Sequence, residues 1–226
     1  MASGAVDLRR REHGKLDKRR RIREAARAAF TEFGYKGANM REIAKRAGVA
    51  TGTLFLYAAD KRSLLFWMVN DDLERLTEET FAEDALRVRA HDDLLDQLIY
   101  IFETRYRYWG ADPELALNAM QELTSKRSTQ QMLEHLAHYD DRHYVGRERI
   151  ADLVRDHQTR GRIRPSEDPD AIAQLMLAIY NAAVRSWLRG DEVDLAWGIA
   201  ELRKLLRLAI DGCSGAIARG AGGTSN

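Results

Sequence analysis

Hydroxyl-bearing, apolar and glycine residues follow one another closely in the segment TGTLFLY, which begins at Thr51. Hydroxyl groups donate hydrogen bonds to phosphate oxygens, and threonine and apolar side chains read base edges and thymine methyl groups in the major groove of DNA. On a helix whose Leu54 faces the core, the outer surface would consist of Thr51, Gly52, Thr53, Phe55, Leu56 and Tyr57. These residue types favour contact with double-stranded DNA.

The residues before this segment predict the elements that position it. Asn39 is followed three residues later by Glu42, which is the spacing of a capping box at a helix start. Gly48 supplies the positive φ angle of a tight turn, and a second short helix begins at Thr51. Two helices that cross closely need small residues at the contact, a need met here by Ala44 and Ala47 against Leu54 and Ala58. The pattern is that of a helix-turn-helix.

Charge is distributed unevenly along the chain, although the formal net charge is only +1. Residues 1–62 contain 16 Lys or Arg and 7 Asp or Glu, a balance of +9, and the remainder carries −8. A compact basic segment is expected of a surface that neutralises phosphates. The basic cluster near the N-terminus could enter the minor groove as an arm, or form a disordered tail of general phosphate affinity, which is the interpretation we favour. It comprises Arg9, Arg10, Arg11, Lys18, Arg19, Arg20, Arg21 and Arg23.

Composition excludes several classes of protein. The chain has 226 residues and no uninterrupted apolar stretch near the roughly 18 residues that span a bilayer, so no membrane partner is expected. The basic N-terminus lacks the apolar core of a secretory signal, which predicts a cytoplasmic protein. The single cysteine, Cys213, can form neither an internal disulfide nor a Cys-x-x-Cys metal clip.

The fold class is predicted to be all-α, with about nine helices. Apolar periodicity and the absence of hairpin signals support this assignment, and both Asp112-Pro113 and Asp168-Pro169 read as helix starts. Besides two short helices between Asn39 and Tyr57, and one starting near Asp60, helices are expected over 17–33, 92–109, 113–124, 128–160, 169–188 and 191–210. The predicted domains are a disordered basic arm over 1–16, a DNA-binding domain over 17–62, a helical effector-binding and dimerisation domain over 63–211, and a disordered tail over 212–226.

Residues 21–65 resemble the DNA-binding domain of the TetR family of bacterial transcriptional regulators. The resemblance lies in the stretches AARAAFTEFGYKGANM, IAKRAGVATGTLFLY and DKRSLL. It implies groove-facing or phosphate-contacting roles for Thr51, Gly52, Thr53, Leu56 and Tyr57, a base contact for Arg41, and a phosphate contact for Lys61. Asn39 and Tyr57 would also touch the DNA backbone.

Three residues depart from the family pattern. Phe55 stands where the family usually has tyrosine, and Leu56 where a polar or aromatic residue is common. Ala50 replaces the usual Ser or Thr cap of the second helix. Base readout is therefore expected to depend more on van der Waals contact and less on hydrogen bonds.

The same resemblance implies a homodimer whose second domain binds an unknown small-molecule effector. The protein would then be a repressor released from a palindromic operator, with no cofactor and no metal. Candidate effector-pocket residues are the aromatic and methionine side chains Trp67, Phe102, Tyr106, Trp109, Met120, Tyr139, Met176 and Tyr180. Two terminal helices carry more apolar surface than they would hide alone, and the expected dimer interface comprises Leu175, Ala178, Ile179, Ala182, Leu202, Leu205 and Leu206.

One alternative uses the second half differently. His135 and His138 are three residues apart on a predicted helix and could share a metal ion. A helical metal-dependent enzyme or binding protein would follow. A solvated helix face explains the same residues, and the sequence contains no catalytic motif, so no enzyme activity is expected.

Overall fold

The computed structural model describes residues 2–82, 89, 92–124 and 146–214. Within these ranges the chain forms nine helices and no strand, so the all-α prediction is confirmed. The helices are α1 (Ala2–Gly37), α2 (Met40–Arg46), α3 (Thr51–Tyr57), α4 (Lys61–Thr80), α5 (Leu94–Gly110), α6 (Pro113–Thr124), α7 (146–159), α8 (Pro169–Leu188) and α9 (Leu195–Ser214). No helix in the described ranges is long and apolar enough to cross a membrane.

Several helix ends lie where local chemistry predicts them. Asp168 caps α8 by accepting from the Asp170 amide at 3.0 Å, and Pro169 takes the first helical position. At the start of α4, Asp60 accepts from the Ser63 amide at 2.6 Å. Gly34, which directly follows the predicted end of the first helix at residue 33, has φ +67° and ψ 166°, so the helical path breaks there.

The start of α1 differs from the prediction. The helix begins at Ala2, not near Asp17, so residues expected to form a disordered arm continue the helix. This stretch contains no proline and is rich in Ala, Arg, Leu and Lys, which are strong helix formers. Basic character alone does not oppose a helix when Asp17 and Glu24 alternate with the arginines, because oppositely charged neighbours three or four residues apart stabilise it.

The chain divides into two compact units. The first lies within Met1–Asp72 and Glu114–Ala137, and the second within Leu73–Pro113 and His138–Asn226. The sequence predicted the boundary between residues 62 and 63, whereas the structural division falls inside α4. The assignment of functions to the domains stays a prediction.

In the first unit, α1, α2 and α3 pack around a small apolar core. Its fully buried side chains include Ile22, Phe30, Ile43, Leu54 and Leu64. All seven residues from Leu64 to Asn70 on α4 are also buried, with 9% exposure or less. A helix that is buried on every side at this level cannot shift without disturbing several neighbours.

In the second unit, α9 packs on both α5 and α8. The core contains Leu98, Phe102, Tyr106, Met176 and Trp187. Leu202 and Leu206 are completely buried within this single chain, so their assignment to the dimer interface is wrong. They lie on the stripe of α9 that faces the core.

Candidate nucleic-acid interface

The N-terminus of α2 is held by Asn39. Its side-chain oxygen accepts from the backbone amides of Arg41 at 2.8 Å and Glu42 at 3.3 Å, which satisfies two of the amides that a helix start leaves free. The cap fixes the direction in which α2 leaves the turn. Arg41, in the first turn of this helix, is solvent-exposed.

The turn after α2 depends on Gly48, whose φ is +63°. The Gly48 amide donates to the Lys45 carbonyl at 3.1 Å, and the Val49 amide donates to Ala44 at 3.0 Å. Arg21 adds a further bond, from Nη1 to the Ala47 carbonyl at 3.0 Å. These bonds close the C-terminus of α2 and set the angle at which α3 follows.

The helix α3 is anchored by one face and exposed on the other. Leu54 is completely buried, whereas Phe55 is 44% and Leu56 84% exposed. A Cβ atom placed on Gly52 would have no neighbour within 4 Å. Ala50 makes no side-chain bond to the α3 amides, as expected from its residue type. The outer surface of α3 is therefore open and mostly apolar.

The predicted hydroxyl contacts lie at the edge of this surface. Thr51, Thr53 and Tyr57 are each partly exposed. The centre of the Tyr57 ring lies 6.1 Å from that of Trp67 on α4, and this contact between the rings holds the Tyr57 side chain in place. Five of the eight predicted DNA-binding residues thus belong to one short helix, α3, with Asn39 and Arg41 at the start of α2.

Lys61, the eighth, has a structural role that the sequence did not suggest. Its ammonium group donates to the carbonyls of Lys36 at 2.8 Å and Ala38 at 2.9 Å, and lies 5.1 Å from the centre of the Tyr35 ring. These bonds tie the start of α4 to the end of α1. An ammonium group has three hydrogens, so one is left for a phosphate oxygen.

We expect Lys61→Ala to weaken both folding and DNA binding. Loss of two bonds from a charged donor to backbone carbonyls should lower the unfolding free energy by about 1–3 kcal/mol. Affinity for operator and for random DNA should fall by the same factor, and the plot of log affinity against log salt should flatten by about one phosphate per subunit. Lys204→Ala, which removes the same charge from α9, is the control, and an unchanged salt slope in Lys61→Ala would remove this residue from the phosphate contacts.

A ladder of arginines, here called the α1–α4 ladder, joins the first helix to α4. Arg19 and Arg23 both bind the carboxylate of Asp71, with nitrogen–oxygen distances of 2.6 Å in each case. Arg27 binds Asp72, whose side chain is only 6% exposed. The Arg19 guanidinium also lies 5.5 Å from the ring centre of Trp67. Because a nearly buried carboxylate must be paired, the ladder fixes α4 against α1.

The ladder corrects part of the interpretation of the basic cluster. Arg19 and Arg23 are bound to Asp71, and Arg20 bridges Asp17 and Glu24 at 2.8 Å and 3.1 Å. Hydrogen bonding from Arg20 lowers the pKa of Asp17 below its ordinary value. These arginines are therefore neither a loose tail nor a minor-groove arm. The side chains of Arg9, Arg10 and Arg11 lie outside the described part of the structure.

The candidate effector residues do not form one group. Phe102 and Tyr180 stack with centroids 4.6 Å apart, and Trp109 Nε1 donates to the Tyr180 hydroxyl at 2.9 Å. Tyr106 lies 6.1 Å from Tyr180, and Met176 is buried on the same helix as Tyr180. Trp67 and Met120 belong to the first unit, and Tyr139 lies outside the described residues, as do His135 and His138.

Large apolar side chains are exposed on the last two helices. Leu175 on α8 is 44% exposed, and Trp197, Leu205 and Leu208 on α9 are 55%, 43% and 72% exposed. Ala178 and Ala182 are also exposed, and Ile179 is partly so. This part of the predicted dimer interface stays available at the surface. Trp197 and Leu208 also belong to this surface although they were not predicted, and their helical spacing from Leu205 was the signal that could have identified them.

Comparisons with known proteins agree with this geometry. Residues 22–67 match the family model described as bacterial regulatory proteins, tetR family. The chain is 27% identical over 180 residues to YhgD, an HTH-type transcriptional regulator of Bacillus subtilis, covering 76% of this chain and 85% of YhgD. It is 26% identical over 183 residues to an HTH-type transcriptional repressor of Mycobacterium tuberculosis, covering 75% and 94%.

Solved structures show the same fold. FadR of Thermus thermophilus, described as a TetR family repressor in complex with lauroyl-CoA, superposes with a TM-score of 0.65 at 22% identity, over 92% of this chain and 100% of its own. FadR of Bacillus subtilis, in complex with stearoyl-CoA, gives 0.64 at 21% identity, over 85% and 97%. With its capped α2, the turn at Gly48 and the open face of α3, the segment 22–67 is a helix-turn-helix domain of the TetR family of bacterial regulatory proteins, and the chain as a whole has the fold of the TetR-family structures.

Proposed function

We propose that the protein is a homodimeric repressor that binds a near-palindromic operator and is released from it by a small-molecule effector. The observation that carries the proposal is α3, a helix held by Leu54 whose outer face, with Gly52 and Leu56, is open. An open helix of this kind enters the major groove when a firm scaffold presents it. One relative is named as a transcriptional repressor, which supports repression over activation.

The operator should reflect the symmetry of a dimer. Two copies of α3 would enter successive major grooves on one face of the duplex, about 34–36 Å apart. The exposed apolar side chains of α3 suit thymine methyl groups, and Arg41 would add a hydrogen-bonded base contact. Gel shift and footprinting against the DNA flanking its own gene test this. A footprint that does not contain two related half-sites would contradict binding as a dimer.

Dimerisation is supported by the apolar side chains exposed on α8 and α9. Trp197, Leu205 and Leu208 recur at helical spacing along one side of α9, and Leu175 adds to them from α8. An exposed apolar stripe on two packed helices is the surface from which a second copy builds a four-helix bundle. Closed pairing through the same surface on each copy gives a two-fold dimer.

We expect Leu208→Asp to convert the dimer to a monomer, because it places a charge in an apolar interface. Operator affinity should then fall by about 100-fold or more, because a monomer contacts only one of the two half-sites. Sedimentation velocity measures the mass. Leu16→Asp, at a residue 63% exposed on α1, is the control for an exposed leucine outside the interface. A Leu208→Asp protein that sediments like the parent would exclude α9 from the dimer contact.

The effector is proposed to bind the aromatic cluster of the second unit, formed by Phe102, Tyr106, Trp109 and Tyr180. Pockets for small molecules are mainly apolar and aromatic with a few placed polar groups, and this cluster has that composition. The acyl-CoA complexes of the FadR structures make lauroyl-CoA and stearoyl-CoA the first compounds to test. A rise in melting temperature, together with release from operator DNA, would identify an effector.

A further inference from the structure

Tyr106 is completely buried in the second unit, and its hydroxyl group has no hydrogen-bond partner among the described residues. A polar group that leaves water without a partner destabilises the folded protein. The hydroxyl is attached to a ring that is otherwise well packed, with the Trp187 ring centre 4.7 Å away. The ring therefore contributes to the packing of the core, whereas the hydroxyl group adds no hydrogen bond to it.

A second phenol lies close to the first. The Tyr180 hydroxyl oxygen accepts from Trp109, and no described acceptor takes its own hydrogen. The centroids of the two tyrosine rings are 6.1 Å apart. Phe102, stacked on Tyr180 at 4.6 Å, supplies a flat apolar surface beside them. Two O–H donors thus stand among aromatic rings without an acceptor.

The protonation state of these phenols is fixed by burial. Desolvation raises the pKa of Tyr180 to about 12 and raises the pKa of Tyr106 further. Both groups therefore keep their hydrogens at neutral pH. At Tyr106, whose raised pKa has no contribution from a charged side chain, the same desolvation disfavours a charged ligand group, so the complement of its hydroxyl is an uncharged acceptor such as a carbonyl oxygen.

We propose that Tyr106 is the specificity-determining residue of the effector site, and that its hydroxyl donates to an uncharged carbonyl oxygen on the apolar part of the ligand. The proposal rests on the proposed function in that the aromatic cluster is the effector site. Tyr180 stacks with Phe102 to form one wall and offers a second donor to the same ligand. An analogue without the oxygen leaves a buried donor unpaired, which is how such a site rejects it.

The test compares two probes of the same shape, 2-acetylnaphthalene and 2-ethylnaphthalene, on the full chain and on Tyr106→Phe. With the parent protein we expect the ketone to bind about tenfold more tightly than the hydrocarbon, from fluorescence titration and thermal shift. With Tyr106→Phe the two probes should bind equally. Equal binding to the parent, or a preference for the ketone that persists in Tyr106→Phe, would overturn the proposal, as would the failure of both probes to bind.

The melting temperature without ligand provides a separate readout. Because the hydroxyl has no partner, Tyr106→Phe should melt at or above the temperature of the parent. Tyr180→Phe is the control and should melt lower, since it loses the bond from Trp109. A lower melting temperature for Tyr106→Phe would assign the hydroxyl to the folded core and overturn the proposal. Gel shift without probe separates this result from the proposed function, because operator binding by Tyr106→Phe should equal that of the parent.

Discussion

Gly52→Glu should abolish operator binding while making the protein slightly more stable. Gly52 lies in the first turn of α3, and a Cβ atom there would meet nothing within 4 Å. Replacing a helical glycine stabilises by about 0.5–1 kcal/mol, and an acidic residue in the first turn adds about 0.3–1 kcal/mol. At the DNA surface the same carboxylate would fill the space where backbone and phosphate approach, so affinity should fall by about 100-fold or more.

Opposite signs in the two measurements distinguish this effect from misfolding. Stability is read from denaturant unfolding and affinity from gel shift on one preparation. Gly212→Glu makes the same change of charge on α9, where a Cβ atom also has open space, and should leave operator affinity unchanged. Gly52→Ala should gain stability and lose less affinity than Gly52→Glu. Parental affinity in Gly52→Glu would remove this face of α3 from the groove.

The parts of the interface that could be predicted from sequence are those set by neighbours along the chain. Asn39 caps α2 because its oxygen reaches amides only two and three residues away. Gly48 makes the turn because its own φ is positive. Asp168 and Pro169 begin α8 for equally local reasons. Each of these interactions is complete within four residues, so the residue types are sufficient to predict it.

The contacts that were missed connect distant parts of the chain. Arg19 and Asp71 are 52 positions apart, and Arg27 and Asp72 are 45 apart. A single sequence offers no means of pairing one arginine among many with a particular aspartate. A signal was present, because Arg19, Arg23 and Arg27 recur every four residues and would share a helix face. Their spacing fits an organised surface better than a loose tail.

The last helix shows a different limit. Two apolar stripes run along α9, one containing Leu202 and Leu206 and the other Trp197, Leu205 and Leu208. Periodicity detects both stripes but does not say which one packs against the same chain. The choice is made by α5 and α8, whose packing buries the first stripe. The exposed stripe is the one available for the proposed dimer contact.

The indole of Trp187 lies where α5, α8 and α9 meet, and two glycines make room for it. A Cβ atom on Gly198 of α9 would lie 2.8 Å from both Cδ1 and Nε1 of the ring, and one on Gly110 of α5 would lie 2.7 Å from its far edge. The ring is 2% exposed, and its N–H donates to the Asp194 carbonyl at 2.7 Å. Trp187 therefore has no space into which it can withdraw.

Gly198→Ala should consequently destabilise the protein, although alanine is normally the better helix residue. The expected loss is about 1–3 kcal/mol, because overpacking at a fixed ring outweighs the gain of about 0.5–1 kcal/mol from removing a helical glycine. Gly212→Ala on the same helix has open space and should show that gain alone. Denaturant unfolding followed by circular dichroism measures both.

Combining Gly198→Ala with Trp187→Phe should recover part of the loss, since the smaller ring leaves room for the methyl group. The double-mutant cycle then gives the coupling free energy between the two residues. Equal stabilisation by Gly198→Ala and Gly212→Ala would show that the indole moves aside, and that the junction of the three helices is looser than its contacts imply.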